Sequence, residues 1–122
     1  GLGRLGGLTE LQLGLNDIGD GGAEALAGPL ARLAGLQVLG ISSNRIGPAG
    51  ATALAPALAR LAALEDLELY YNEIGDGGAA VLGPALADLA RLQSLSFYGN
   101  RLGDAAEQAL EARLGHVPFL DL

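Results

Sequence analysis

An acidic segment that leads into two tyrosines contains the residues best suited to chemistry in this chain. Glu65, Asp66 and Glu68 come shortly before Tyr70 and Tyr71. Paired carboxylates act as a general acid and a general base where a closed site excludes water and separates their pKa values. The alternation of polar and apolar residues in this segment predicts an open strand face, which does not separate pKa values in that way. We therefore expect the segment to recognise a partner and not to catalyse a reaction.

Other residue types that support catalysis or metal binding are scarce. The only histidine, His116, lies in a predicted loop, and the chain has zero cysteine. One histidine cannot supply a two-histidine metal site, and no partners for a serine-histidine-aspartate arrangement recur beside it. The sequence therefore predicts no catalytic residue, no metal site and no cofactor, and we expect a protein that is not an enzyme.

Glycine-rich pieces stand before two predicted helices, at Gly19 to Gly22 and at Asp76 to Gly78. They superficially resemble loops that cradle phosphate. However, no lysine follows them, each carries an aspartate where an anion would bind, and they recur with the period described below. We interpret them as turns and not as nucleotide sites.

The charge balance and the short apolar runs argue against two classes of partner. Seven arginines against 14 acidic residues give a net charge of −7, which opposes binding to nucleic acid. The apolar runs are too short to cross a bilayer, so no membrane contact is expected. The lack of cysteine is compatible with a reducing compartment, and the predicted location is the cytoplasm.

The elements that must position these residues are set by an internal repeat. Asn16, Asn44, Asn72 and Asn100 are 28 residues apart, and each closes the phrase L-x-x-L-x-[LIF]-x-x-N. The alternating second half of the phrase predicts a short strand with one buried face. The asparagine amide has donors and an acceptor for the backbone of a buried turn, so stacked repeats should align these amides in a row.

A turn and a helix are predicted after each asparagine. Apolar-glycine pairs such as Ile18-Gly19 suit a tight turn, and leucines three and four residues apart, as at Leu54, Leu58 and Leu61, form one helical stripe. The glycines and alanines that open the helices should let each helix approach the sheet closely. Two further sets of residues punctuate the helices. Predicted N-caps are Asp20, Asp76 and Asp104, and residues expected to kink or shorten the helices are Pro29, Pro56 and Pro84.

This pattern resembles the ribonuclease-inhibitor-like class of leucine-rich repeats, also found in NOD-like receptors and in Ran GTPase-activating protein. The phrase N-x-I-G-x-x-G-A-x-A-L-A, from Asn16 to Ala27 and from Asn44 to Ala55, carries the resemblance. It implies an α/β leucine-rich-repeat solenoid, a horseshoe with parallel strands on the concave face and helices on the convex face. The strand-end residue is always asparagine and never cysteine, unlike in the inhibitor, which argues against inhibition of ribonuclease.

The positions that vary between repeats are where a partner would be recognised. The residues after the asparagines, Asp17, Arg45, Glu73 and Arg101, alternate in sign and predict a row of charges across stacked repeats. The other variable positions face outward from the strands and contain all three tyrosines. The predicted partner-binding residues are Tyr70, Tyr98, Tyr71, Glu68, Asp66 and Ser96. Tyrosine is a favoured interface anchor, and the acids favour a protein with a basic surface.

Three interpretations of function remain from the sequence. The first is a scaffold that binds a protein through the concave strand face. The second, implied by the resemblance to Ran GTPase-activating protein, is regulation of a small GTPase through the loops at Asn44-Arg45 or Asn100-Arg101. The third is a partnerless structural or designed solenoid unit.

The ends of the chain fall inside the repeat. Leu2 and Leu5 occupy the columns of Leu30 and Leu33, and Leu120 occupies the column of Leu92 as a fifth strand begins. Residues 1–122 are therefore predicted to be a single segment of about four and a half repeats. We expect it to belong to a longer array, and we expect self-association through its uncapped ends.

Overall fold

The computed structural model describes residues 7–122, along which strands and helices alternate. The strands are β1 (Glu10–Gln12), β2 (Val38–Gly40), β3 (Asp66–Glu68), β4 (Ser94–Ser96) and β5 (Phe119–Asp121). The helices are α1 (Gly19–Ala31), α2 (Pro48–Ala59), α3 (Gly75–Ala87) and α4 (Asp104–Leu114). Leu2 and Leu5, expected in an upstream helix, lie outside the described residues.

The strands form one parallel sheet in chain order, β1-β2-β3-β4-β5. The first four are aligned at the repeat period, because Leu11 is level with Leu39, Leu39 with Leu67, and Leu67 with Leu95. Each pair of consecutive strands is joined by a helical crossover, as parallel pairing requires. The predicted α/β solenoid with parallel strands is confirmed.

The leucines of the repeat phrase form the core between the sheet and the helices. Leu39 and Ile41 from the strand side and Leu30 and Leu58 from the helix side are all 0% exposed. Alternate strand residues therefore point away from the helices, on a surface that we call the outward face. Its members are Glu10, Gln12, Val38, Gly40, Asp66, Glu68, Ser94, Ser96, Phe119 and Asp121.

The asparagines form the predicted row and join each repeat to the one before it. The side-chain oxygen of Asn44, Oδ1, accepts hydrogen bonds from the backbone amides of Asn16 and Ile18, at 2.8 and 3.2 Å. The side-chain nitrogen of Asn44, Nδ2, donates to the backbone carbonyl oxygens of Leu13 and Ser42. Asn72 repeats this pattern, whereas within residues 7–122 Asn100 Oδ1 accepts only from the Ile74 amide while its side-chain nitrogen donates to two carbonyl oxygens. Because these amides are buried and paired, they hold the strand ends in a fixed arrangement.

The prolines lie inside the helices, close to their ends. Pro29, Pro56 and Pro84 are followed by helix ends at Ala31, Ala59 and Ala87. A proline removes an amide donor from the helical hydrogen-bond pattern, and each of these helices stops within one turn of its proline, which fits the expected shortening.

The small residues that open the helices pack against the neighbouring helix. A Cβ built on Gly50 would lie 3.1 Å from the Cβ of Ala23 in α1, and one on Gly78 would lie 3.2 Å from the Cβ of Ala51 in α2. The expectation that these residues also bring the helix close to the sheet stays a prediction. They let consecutive helices approach each other.

The aspartates expected as N-caps lie inside the first turns of their own helices, at Asp20, Asp76 and Asp104. Asp20 Oδ1 accepts hydrogen bonds from the backbone amides of Gly47 and Gly50, at 2.7 and 2.8 Å, where α2 begins. Asp76 Oδ1 likewise accepts one from Gly103 at the start of α4, at 2.9 Å. The N-cap prediction is therefore wrong: no side chain caps α1, α3 or α4 from within its own helix, and the carboxylates of Asp20 and Asp76 reach the helix of the next repeat.

The fifth repeat is shortened where α4 joins β5. Leu120 is level with Leu95 in the sheet, so its predicted match with Leu92 is wrong. The buried Val117 takes the place of Leu92, and its amide donates to the Leu114 carbonyl at 2.9 Å. Because β5 begins at Phe119, the connection from α4 has fewer residues than the earlier ones, and β5 forms as a complete strand.

Candidate functional site

The three tyrosines form one cluster at the ends of β3 and β4, here called the tyrosine cluster. The rings of Tyr70 and Tyr98 are stacked, with centroids 5.0 Å apart and an interplanar angle of 2°. Tyr71 meets both rings edge-on, at centroid distances of 5.7 and 5.2 Å. The adjacency of Tyr70 and Tyr98, which the period predicts, is confirmed, whereas the role of the tyrosines in binding stays a prediction.

The backbone just after the adjacent strand β4 leaves room for the ring of Tyr71. Tyr71 has a φ of 55° and is 60% exposed. Its ring lies directly against Gly99, whose φ is 76°, and a Cβ on Gly99 would collide with the ring. Glycine at this position meets two requirements, a left-handed backbone and room for the aromatic ring.

Carboxylates line the outward face beside the tyrosine cluster. Asp66 and Glu68 occupy alternate positions of β3. Asp66 lies level with Val38 of β2, and Glu68 lies level with Gly40. Burial raises the pKa of Asp66, and the charge of Glu10 raises it further, while a hydrogen bond with Glu68 acts in the opposite direction. Burial also raises the pKa of Glu68, with further contributions from Asp66 and Glu10. These carboxyl groups therefore lie close enough to influence one another.

The outward face carries no compensating positive charge within residues 7–122. Its acids are Glu10, Asp66, Glu68 and Asp121, and none of its members is arginine or histidine. Ser96, the remaining predicted site residue, lies level with Glu68 on the adjacent strand β4. The structure therefore brings all six predicted residues onto two neighbouring strands and their ends.

Two residues of this surface were not predicted from the sequence. Phe119, which is 71% exposed, lies level with Ser94, and Asp121 lies level with Ser96. The uninterrupted period assigned both to other columns. The buried Val117, three residues before Leu120, was the signal that could have revealed the shorter fifth repeat.

The charges after the asparagines form two separate pairs and not one continuous row. Arg45 Nε lies 3.3 Å from Asp17 Oδ1, and Arg101 Nη2 lies 3.3 Å from Glu73 Oε1. Within the described chain Arg45 and Glu73 form no ion pair, so the prediction of a continuous row is wrong. The backbone conformation also differs between these turns. A positive φ occurs at Asp17, Arg45 and Arg101 but not at Glu73.

The remaining residues with chemical potential are not grouped into a site within the described part of the chain. His116 lies in an exposed turn after α4, as predicted. From Gly7 to Leu122, no group of three or more histidine, cysteine or acidic residues is arranged to hold a metal ion. No helix in that range has both the length and the apolar character needed to span a bilayer.

Comparison with known proteins identifies the repeat. No curated protein matches the chain. Among solved structures, leiomodin-1 actin-binding site 2 superposes with a TM-score of 0.83 at 20% identity, over 98% of this chain and 75% of the other, which is a likeness of fold. The pattern of the Leucine Rich repeat family matches residues 8–27, 36–55 and 63–83, half of the chain. The protein therefore belongs to the leucine-rich repeat family.

Proposed function

We propose that this protein is a protein-binding module whose partner contacts the outward face at the tyrosine cluster. The observation that carries the proposal is a mutually packed set of three aromatic rings, of which Tyr71 is exposed and Tyr70 and Tyr98 are partly exposed, near the carboxylates of Asp66 and Glu68. Tyrosine combines a large contact area with a polar hydroxyl and few rotatable bonds, so it is a frequent anchor of interfaces. The contact would also include Ser96, level with Glu68.

The fixed backbone beneath this surface favours binding. Asn72 and Asn100 pair with backbone groups at the ends of the strands that carry the tyrosines. Tyr70 and Tyr98 are stacked on each other before any partner arrives. Because little of this surface needs to be ordered on association, more of the contact energy remains as affinity.

The proposed partner presents a basic surface. The outward face has carboxylates at both of its ends and between them, with no cation among its described members. The whole chain carries a net charge of −7. This charge would attract a basic protein and speed its association, more strongly at low salt.

Two further proposals concern the wider architecture. The 28-residue register between the first four strands supports assignment to the ribonuclease-inhibitor-like class. β1 and β5 pair on one side only within residues 7–122, and Leu15 beside β1 is 85% exposed. Such edges favour self-association. Sedimentation velocity over a range of concentrations tests this proposal, and a single monomeric species throughout would rule it out.

The arginines beside the asparagines give no support to regulation of a small GTPase. Arg45 and Arg101, on which such regulation would depend, are paired with the carboxylates of Asp17 and Glu73. The structural likeness to leiomodin-1 actin-binding site 2 adds that the same repeat architecture occurs in a protein described by its actin binding.

The binding proposal can be tested before a partner is identified. A phage library of random 12-residue peptides is selected on the immobilised protein, and the selected peptides are then measured against Tyr70→Ala with Tyr98→Ala. We expect peptides rich in arginine or lysine, and a loss of about thirtyfold in affinity, since truncated hot spots cost roughly 2 kcal/mol or more.

The control for this experiment is Val81→Ala, which shortens a half-exposed apolar side chain on α3. It should leave affinity unchanged, and both variants should melt close to the parent protein. Peptides that bind the double tyrosine variant as tightly as the parent would place the interface elsewhere. A selection that yields no specific peptide would favour a partnerless solenoid.

A further inference from the structure

The outward face contains a depression over β4. Ser94 and Ser96 are small and form its floor, and Phe119 and Asp121 on β5 form one side. On the other side, the adjacent strand β3 carries Asp66 and Glu68, level with the two serines. The open hollow over these serines has a volume of about 420 Å³, and Pro118 and Leu120 complete its lining on the β5 side. We call this depression the β4 trough.

The sides of the β4 trough carry negative charge. Asp66 and Glu68 lie on one side and Asp121 on the other, and none of these acids forms an ion pair within residues 7–122. Desolvation raises the pKa of the Tyr98 hydroxyl, and the neighbouring Tyr71 and Tyr70 also raise it. The carboxylates of Asp121 and Glu68 raise the pKa of Tyr98 further. A positive group in the trough would meet carboxylates from both sides.

The β4 trough also has aromatic surfaces. Phe119 is 71% exposed on one side. Tyr98 comes two residues after Ser96, beyond the end of β4, and is stacked on Tyr70. The sides belong to strands two spacings apart, about 9.6 Å at the usual strand separation. This width suits one side chain lying between them.

We propose that the β4 trough is the subsite for one arginine side chain of the protein partner, an inference that rests on the proposed function. Guanidinium is planar, remains charged, and carries five N–H donors, which match carboxylates on two sides and serine hydroxyls beneath. Its face and its methylene stem pack on aromatic rings such as Phe119 and Tyr98. Lysine is a weaker fit, because its ammonium is a compact, strongly hydrated point charge with no planar surface.

The test uses single amino acid derivatives as probes, followed by backbone amide shifts in nuclear magnetic resonance spectra of the whole chain. N-acetyl-arginine amide is titrated alongside N-acetyl-citrulline amide, which has nearly the same shape without the charge, and N-acetyl-lysine amide. We expect saturable shifts with arginine at Ser94, Ser96 and Asp121, at least threefold weaker affinity for lysine, and no saturable shift with citrulline.

Variants of the trough assign the binding to its residues. Ser96→Lys places a tethered ammonium in the trough and should abolish saturation by the arginine probe. Asp121→Asn should weaken it by about threefold, since an exposed charge pair contributes only modestly to binding. Glu111→Gln removes an equal charge from the exposed surface of α4 and should change nothing. Unchanged arginine binding by Ser96→Lys, in a variant that keeps the parent spectrum elsewhere, would overturn the assignment.

The outcomes separate this inference from the proposed function. Equal shifts by arginine and citrulline, or shifts confined to the β1 end of the face, would overturn the subsite even if the tyrosine variants still lose their peptides. Conversely, saturable arginine binding in the trough, combined with peptides that ignore the tyrosine variants, would support the subsite and refute the proposed interface at the tyrosine cluster.

Discussion

The carboxylate of Asp20 lies 2.7 Å from the backbone nitrogen of Gly47, at the position just before α2. The same oxygen also accepts the amide of Gly50. An acid inside the first turn of one helix thus supplies the N-terminal hydrogen bonds of the next helix, which lacks a capping side chain of its own. Neighbouring repeats are therefore joined on the helix side as well as through the asparagines.

Removing this carboxylate should weaken the stack. Asp20→Ala is expected to lower the free energy of unfolding by about 1 to 2 kcal/mol, as for the loss of an N-cap. Asp76→Ala, which removes a single hydrogen bond to Gly103, should cost less. Urea unfolding followed by circular dichroism measures both. An Asp20→Ala midpoint equal to that of the parent would contradict a role for the carboxylate in capping α2.

The ion pairs should couple within the observed pairs only. A double-mutant cycle on Asp17 and Arg45 is expected to give a few tenths of a kcal/mol at low salt, and this coupling should fade as salt is added. The cycle on Arg45 and Glu73 serves as the control and should give no coupling, because these residues form no pair in the structure. Coupling of equal size in both cycles would restore the continuous row of charges.

Gly99→Ala should disturb the tyrosine cluster. A left-handed φ of 76° disfavours alanine, and the new methyl group would displace the ring of Tyr71. We expect a loss of about 1 kcal/mol or more in unfolding free energy, together with altered ring resonances of Tyr71. Gly77→Ala is the matched control, since its Cβ would meet nothing within 4 Å, and it should be neutral or stabilising. Unchanged resonances in Gly99→Ala would disprove the contact.

The acids of β3 should make both binding and stability depend on pH. The pKa values of Asp66 and Glu68 are raised above the ordinary 3.8 and 4.5, so these groups take up protons at higher pH than usual. As the pH is lowered, affinity for a basic peptide should therefore begin to fall before the pH reaches the ordinary pKa values of these groups. Fluorescence anisotropy of a labelled peptide, measured from pH 7 to pH 4, reports this loss.

The stability effect has the opposite sign. Because the pKa values of Asp66 and Glu68 are raised on folding, the ionised groups destabilise the fold above the unfolded values. This destabilisation is lost as the pH falls through the raised values. Asp66→Asn with Glu68→Gln should therefore raise the urea midpoint at pH 7. Glu65→Gln, on an exposed residue of the same segment, is the control. A lower midpoint in the double variant would argue that these carboxylates stabilise the fold.

The sequence by itself determined the repeat, the order and type of the elements, the buried asparagine row and the adjacency of Tyr70 and Tyr98. These features follow from the period, because residues separated by one repeat must stack on neighbouring strands. Tertiary structure alone decided that Asp20 caps the next helix and that Arg45 pairs with Asp17 and not with Glu73. A period places each side chain in a column, but it does not decide whether that side chain reaches the repeat before it or the repeat after it. Phe119 and Asp121 join the outward face for a related reason, since the short connection after Leu114 shifts β5 out of the period. The packing of Val117 into the core, and not the count of residues, sets that register.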